Sequence, residues 1–241
     1  SQAGIDENII SEKLNLNAFN FSKTGTPLYY TTKKINYFLK KNDSIDIILE
    51  LGTNNIGKFG SLKELLSKKN SRRVKFLSEN IFFLNYDEII FFANNSPVDF
   101  YLSIYRSILK SPLSFEGSLN HKSNFNKVLE REDQVKSLVQ EKWEWESVDF
   151  DLEKDKLKQL INDKEDINFK IVRLPEIDIY VNWHNNDLEY KEYINQLLKL
   201  NNVEFNDFVD QISESRYFRD YNHLSEEGKK VFTLNFINYL H

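Results

Sequence analysis

Apolar residues recur along the chain in two patterns, one at helical spacing and one typical of strands. Apolar residues three or four positions apart predict helices at residues 6–14, 28–41, 189–200 and 225–240. Alternating or continuous apolar runs predict strands at residues 17–22, 44–52, 167–175 and 202–208. The run SIDIILELG at 44–52 is the clearest, because a nearly continuous apolar run that ends in glycine is typical of a strand buried on both faces of a parallel sheet.

The predicted helices and strands alternate, and this order predicts a parallel sheet covered by helices on both faces. Residues 58–165 interrupt the alternation with a helical insertion, in which a loop rich in Ser, Asn and Gly occupies residues 111–126. Helical patterns in the insertion lie at residues 61–69, 86–94, 98–110, 127–142 and 151–163. No repeat or linker marks a second unit, so the sequence predicts a single domain over residues 1–241.

Composition removes several classes of chemistry from consideration. The chain has no cysteine, which excludes thiol catalysis and thiolate metal sites. Its histidines, at positions 121, 184, 223 and 241, lack the spacing of metal ligands, so no metal and no organic cofactor is predicted. A formal net charge of -5 and the absence of a dense basic face argue against a nucleic-acid partner.

Polar residues and glycines follow several of the predicted strands. Gly25 lies in SKTGT after the first of them, Asn54 follows Gly52 after the second, and Asp220 stands three residues before His223 near the last helix. The carboxyl ends of parallel strands meet at one edge of a sheet, where ligands bind. A carboxylate three residues from a histidine can hold its Nδ1–H and leave Nε2 as a base.

These blocks, Gly25, then GTN at 52–54, then DYNH at 220–223, resemble the SGNH (GDSL-like) hydrolase superfamily in kind and order. The tail DYNHLSEEG resembles a branch of secreted acyl-transfer accessory proteins that includes teichoic-acid D-alanylation and alginate acetylation proteins. The resemblance covers nearly the whole chain apart from the insertion, and Asn55 departs from the aspartate common in the family. It implies a three-layer α/β/α sandwich with a parallel, flavodoxin-like sheet.

The resemblance also implies a role for each matching residue. His223 would be the general base and then the general acid, and Asp220 would fix its tautomer and stabilise the imidazolium. The N–H of Gly25 and the side chain of Asn54 would donate to the oxyanion, together with the N–H of the nucleophile.

The nucleophilic serine is the part of the family pattern that the sequence does not clearly contain. The chain opens SQAGID, and in the branch that it resembles such a stretch lies a few residues after the catalytic serine. That comparison places the nucleophile just upstream of Ser1, while a simpler alignment makes Ser1 itself the nucleophile. In either case we expect a first strand upstream of residue 1, and a membrane anchor there is compatible with this branch.

The implied function is that of a serine esterase or O-acyltransferase that acts on small acyl esters of a carbohydrate or cell-envelope glycan, outside the cytoplasm of a bacterium. The alternative is a non-catalytic relative, a binding or scaffold protein without the nucleophile. A flavodoxin-like nucleotide binder ranks last, because no glycine-rich phosphate loop follows any predicted strand.

Simpler interpretations stay open for the individual residues. Asp-x-x-His ahead of a helix also suits a helix cap, with Asp220 or Ser225 accepting from the free N–H groups. Gly25 and Asn54 would then be an ordinary turn glycine and a loop amide. His184 is a further candidate at the same sheet edge, with a plain surface position as its alternative. Trp143 and Trp145, which alternate with acids, either stack on carbohydrate or pack the insertion against the domain.

Overall fold

The computed structural model describes residues 4–20, 28–40, 45–52, 80–109, 148–183 and 187–240, together with the single residues 74, 77, 78, 132, 133 and 136. Over these residues the protein is mixed α/β, with a small parallel sheet of three strands and eight α-helices. The prediction of a parallel α/β domain is confirmed at this level.

The helices come in three groups along the chain. Two precede the first strand and three more lie between it and the second; the remaining three follow the second strand. Their bounds are α1 (Glu7–Leu14), α2 (Leu28–Leu39), α3 (Tyr86–Asn95), α4 (Pro97–Leu109), α5 (Val148–Asn162), α6 (Asp178–Val181), α7 (Asp187–Leu197) and α8 (Glu226–Leu240). Short 3-10 helices occupy Ile81–Phe83 and Ser215–Tyr217.

The parallel sheet is formed by β1 (Ile47–Glu50), β2 (Phe169–Arg173) and β3 (Val203–Asp207), in the order β1-β2-β3. Ile47 pairs with Phe169, and Phe169 pairs in turn with Val203. These strands fall inside the predicted runs at 44–52, 167–175 and 202–208, so those predictions are confirmed. A separate antiparallel hairpin, β4 (Phe218–Asp220) and β5 (His223–Leu224), lies immediately before α8.

Neighbouring residues of β2 belong to different hydrophobic clusters, as the two-residue period of a strand requires. Phe169 and Ile171 belong to a cluster, called here the α7 cluster, with buried residues of α2, α5 and α7. Val172 belongs to the other, called here the α8 cluster, with buried residues of α1, α8 and the β4–β5 hairpin. The hairpin thus shares a core with the sheet.

Helices α3 and α4 contribute to a third, smaller cluster. Phe92 and Phe100 pack there with Leu77 and with Tyr30 of α2. Helix α5, at the end of the predicted insertion, contributes instead to the α7 cluster through Leu157 and Ile161.

One predicted strand is wrong over the residues that can be examined. Residues 17–20 have no regular secondary structure, and the strand had been predicted at 17–22. The N–H of Ala18 donates to Ser11 Oγ at 3.0 Å, and the side-chain amide of Asn20 donates to the Ile5 carbonyl at 3.4 Å. This segment therefore binds to α1 and to the residues just before it. Phe19 is 60% exposed, so the apolar alternation here reflects no buried strand face.

In the part of the chain described above, no helix combines the length and the apolar character needed to span a bilayer.

Candidate functional site

The β4–β5 hairpin is anchored through the residue at its turn. The ring of Tyr221 is buried and lies 4.8 Å from that of Trp183 and 6.2 Å from that of Tyr180, with which it is stacked. The N–H of Ile177 donates to the Tyr221 carbonyl at 3.1 Å. The buried ring of Tyr221 thus anchors the turn in the core, while the side chains of Asp220 and His223 on either side of it are partly exposed.

Asp220 and His223 pair directly across this hairpin. Nδ1 of His223 lies 2.7 Å from Oδ1 of Asp220, and the two side chains are 34% and 26% exposed. Because a carboxylate can only accept, this hydrogen bond assigns a proton to Nδ1, and in the neutral imidazole it leaves Nε2 with its lone pair. The geometry that the Asp-x-x-His spacing predicted is therefore confirmed.

The second oxygen of Asp220 is bound by a neighbour that the sequence did not single out. Arg219 donates from Nε and Nη2 to Oδ2 at 3.1 and 3.0 Å, and the N–H of Asn222 donates to Oδ1 at 3.3 Å. Burial by itself raises the pKa of Asp220, but the hydrogen bond and charge of His223 and the Arg219 guanidinium outweigh it and hold that pKa below its ordinary value. The carboxylate is thus kept ionised beside the imidazole.

Helix α8 is capped by Ser225 and not by Asp220, the two residues between which the sequence left the choice open. Ser225 Oγ accepts from the N–H of Gly228 at 3.2 Å and donates to the Arg216 carbonyl at 3.2 Å. The contacts of the Asp220 carboxylate are to its own hairpin and not to α8. Ser225 is therefore the N-cap of α8, and the Asp220 carboxylate is bound to His223 instead.

The start of α8 also approaches the strand that carries Asp220. The N–H of Ser225 donates to the Tyr217 carbonyl at 2.8 Å. A Cβ placed on Gly228 would lie 2.0 Å from that carbonyl oxygen, far inside van der Waals contact. Glycine at position 228 therefore lets the helix pack against the backbone that leads into β4.

Three sequence-predicted site residues, Ser1, Gly25 and Asn54, lie outside the described residues, as do His121, His184, His241, Trp143 and Trp145. The structure does describe Gly52, which ends the run of β1 and is buried. The preceding carbonyl, that of Leu51, accepts from the hydroxyl of Tyr190 at 2.9 Å. The end of β1 is thus tied to α7.

The described N-terminal segment lies against α8. The backbone N–H of Asp6 donates to Thr233 Oγ1 at 3.0 Å, and its Oδ2 lies 4.0 Å from Nζ of the buried Lys229. Ile5 belongs to the same α8 cluster as Tyr221 and Leu224, the neighbours of Asp220 and His223. The first described residues therefore share a core with the hairpin.

A buried ion pair at the end of β2 was also missed. Nη2 of Arg173 donates to Oε2 of Glu176 at 2.9 Å, and their side chains are only 4% and 6% exposed. Burial raises the pKa of Glu176, and the guanidinium beside it opposes that rise. Charges in a strand end, as in KIVRLPE, were the available signal, but their pairing depends on the tertiary fold.

A family model matches residues 117–241, just over half of the chain, and the protein belongs to that uncharacterised family. No curated protein and no solved structure matches the chain.

Proposed function

We propose that the protein is a serine esterase or O-acyltransferase of the SGNH type. The observation that carries the proposal is the 2.7 Å hydrogen bond between His223 Nδ1 and Asp220 Oδ1 on a hairpin that leaves both side chains partly exposed. A buried structural pair would need no access to solvent, whereas a general base must reach its substrate.

In the proposed reaction, Nε2 of His223 takes the proton of the serine hydroxyl while the serine oxygen attacks the ester carbonyl carbon. The same proton then passes to the leaving alcohol oxygen, and an acyl-enzyme remains. Water or an acceptor hydroxyl repeats the transfer and releases the acyl group. Asp220, ionised by its contacts with Arg219, keeps the proton on Nδ1 and stabilises the imidazolium.

The nucleophile in this proposal is Ser1 or a serine just upstream of it. Its support is the position of the first described residues, because the contacts of Asp6 with Thr233 and Lys229 hold them against the helix that follows His223. Gly25 and Asn54 are proposed to donate to the oxyanion.

The proposed architecture is a three-layer α/β/α sandwich with the helical insertion at 58–165. Its support is that adjacent residues of β2 belong to clusters with different helices, those of α2, α5 and α7 on the one hand and α1 and α8 on the other. The substrate class, a small acyl ester of a carbohydrate or cell-envelope glycan, and a location outside the bacterial cytoplasm rest on the sequence resemblance alone.

The test uses intact protein from the full-length gene and a fluorophosphonate probe, which reacts only with an activated serine. We expect a label on Ser1 or on a serine a few residues upstream, located by mass spectrometry. His223→Ala should abolish labelling while circular dichroism stays unchanged, because the base that activates the serine is gone. His121→Ala, in the predicted loop at residues 111–126, is the control and should label like the wild type.

Unchanged labelling in His223→Ala would sink the triad. If the folded wild-type protein takes no label at all, the non-catalytic alternative is favoured, and binding to glycans would then be measured.

A further inference from the structure

The buried pair Arg173–Glu176 lies where all the strands of the parallel sheet end. Arg173 is the last residue of β2, and its Nη1 lies 3.7 Å from Oδ2 of Asp207, the last residue of β3. Its guanidinium also lies 5.3 Å from the ring centre of Tyr190, whose hydroxyl binds the Leu51 carbonyl after β1. The pair therefore lies at the carboxyl edge of the sheet, beside the ends of β2 and β3, and is connected to the end of β1 through Tyr190.

The carboxylate of Glu176 is close to Gly52, the residue that precedes Thr53 and Asn54. A Cβ built on Gly52 would lie 4.0 Å from Glu176 Oε1, while Oε2 accepts from Arg173. One oxygen thus faces Gly52, just after β1, and the other is fixed to β2.

The segment that carries Glu176 also reaches the Asp–His hairpin. The N–H of Glu176 donates to the Val209 carbonyl at 3.3 Å, and that of the next residue, Ile177, donates to the Tyr221 carbonyl at 3.1 Å. Tyr221 is the residue between Asp220 and Asn222 in the turn. A displacement of Glu176 would therefore pass to the hairpin through one peptide unit.

Stability alone gives a weak reason for such a pair. Taking two charges out of water costs free energy that their attraction often only balances, and apolar replacements can be neutral. What a buried, hydrogen-bonded pair does supply is a fixed geometry, because a displaced partner would leave a charge unpaired in the interior.

We propose that Glu176 is a positioning residue of the candidate site. Through its hydrogen bond with Arg173 it holds the segment 174–177, and this segment sets the separation between Gly52 and the turn that joins Asp220 to His223. The expected effect of Glu176 on catalysis rests on the proposed acyl-ester function. Its expected effect on the position of the hairpin rests on the geometry alone.

The variant to measure is Glu176→Gln, which keeps the shape of the side chain and removes its charge. Its control is Glu214→Gln, since Glu214 also pairs with an arginine, Arg216, at 2.9 Å, but with both side chains 61% exposed. The measurements, on intact protein from the full-length gene and below the unfolding temperature, are kcat and KM for p-nitrophenyl acetate and the amide NMR resonances of Gly52 and residues 220–223.

We expect Glu176→Gln to lower kcat by on the order of tenfold or more with little change in KM, because small displacements of catalytic groups are costly. The resonances of Gly52 and of the hairpin should shift in the same variant. Glu214→Gln should change neither quantity. A purely structural pair would instead lower the melting temperature and leave kcat and these resonances as in the wild type, which would overturn the proposal.

The two proposals can fail separately. If the wild type shows neither turnover nor fluorophosphonate labelling, the acyl-ester function fails, and the resonances alone decide whether Glu176 positions the hairpin. If Glu176→Gln does not fold, Arg173→Lys takes its place, because it keeps the charge but loses the forked donors. It is judged by the same two measurements.

Discussion

At the scale of single residues, Asp220 is bonded at both carboxylate oxygens by groups of its own hairpin. His223 and the N–H of Asn222 bind one oxygen, and Arg219 binds the other through two nitrogens. The spacing of Asp220 and His223 was sufficient to predict their pairing. The role of Arg219 was not predictable, because the side chain next to the aspartate in sequence reaches its second oxygen only once the strand and its turn are formed.

The lowered pKa of Asp220 predicts how stability depends on pH. A carboxyl group whose folded-state pKa lies below the ordinary value, 3.8, binds fewer protons when folded. Its stabilising contribution is therefore fully present above that value and is lost as the pH falls through the folded-state pKa. We expect Asp220→Asn to lower the free energy of unfolding near neutral pH by on the order of 1 kcal/mol, as for other partly exposed charged hydrogen bonds.

The measurement is urea unfolding of the wild type and Asp220→Asn at neutral pH and at successively lower pH, and the difference between them should shrink below the ordinary pKa of aspartate. Asp210→Asn, at an exposed aspartate in the same region, serves as control and should show no such trend. A difference that stays constant down to strong acid would contradict the assignment.

At the scale of elements, the strands predicted at 44–52, 167–175 and 202–208 are confirmed, and the one predicted at 17–22 is wrong over residues 17–20. The runs at 44–52 and 167–175 contain β1 and β2, because strands buried on both faces leave a strong compositional signal. In contrast, NAFN at 17–20 binds α1 and the residues just before that helix, and forms no strand. Alternation over so few residues does not distinguish a paired strand from a loop with one exposed aromatic ring.

No strand was predicted for the hairpin before α8, since β5 has just the residues His223 and Leu224. The close packing of α8 against the backbone that leads into this hairpin depends on Gly228. No sequence pattern predicts a glycine at this position, since glycine is ordinarily unfavourable inside a helix. The reason for glycine there is the approach of the Tyr217 carbonyl, which belongs to the fold and not to local sequence.

Gly228→Ala should therefore destabilise the protein despite the higher helix propensity of alanine. The added Cβ meets a backbone carbonyl that cannot move without moving β4, and overpacking of this kind costs about 1–3 kcal/mol, more than the roughly 1 kcal/mol gained in propensity. Thermal unfolding measures the loss. Lys230→Ala, at an exposed position in the same turn of α8, should change the melting temperature little, and a stabilised Gly228→Ala would refute the contact.

At the scale of the whole molecule, the two ends of the described chain are joined in the core. The hydrogen bond from the N–H of Asp6 to Thr233 Oγ1 spans a sequence separation of 227 residues, and Thr233 also donates to the Lys229 carbonyl at 2.7 Å. Sequence patterns predicted α1 and α8 but not their contact, because nothing in either helix specifies its partner.

Removal of this hydroxyl should affect global stability. In Thr233→Val the shape is kept, but the buried N–H of Asp6 loses its acceptor, which costs about 1–3 kcal/mol in the free energy of unfolding. Thr32→Val is the matched control, because the buried hydroxyl of Thr32 donates at 3.0 Å to the Leu28 carbonyl within its own helix. Urea unfolding gives both values, and hydrogen exchange at the Asp6 amide should quicken in Thr233→Val alone. Equal losses in the two variants would mean that the long-range bond adds nothing.

The order β1-β2-β3 has a consequence for the unit by which this family is recognised. Residues 117–241 include β2 and β3 but neither β1 nor α1, although β2 is the central strand and pairs with β1 along its free side. A polypeptide cut at that boundary would expose an unpaired strand edge and the apolar surfaces that α1 and α2 cover, and such an edge invites association with other chains. We therefore expect the segment matched by the family model to self-associate when it is produced without the residues that precede it.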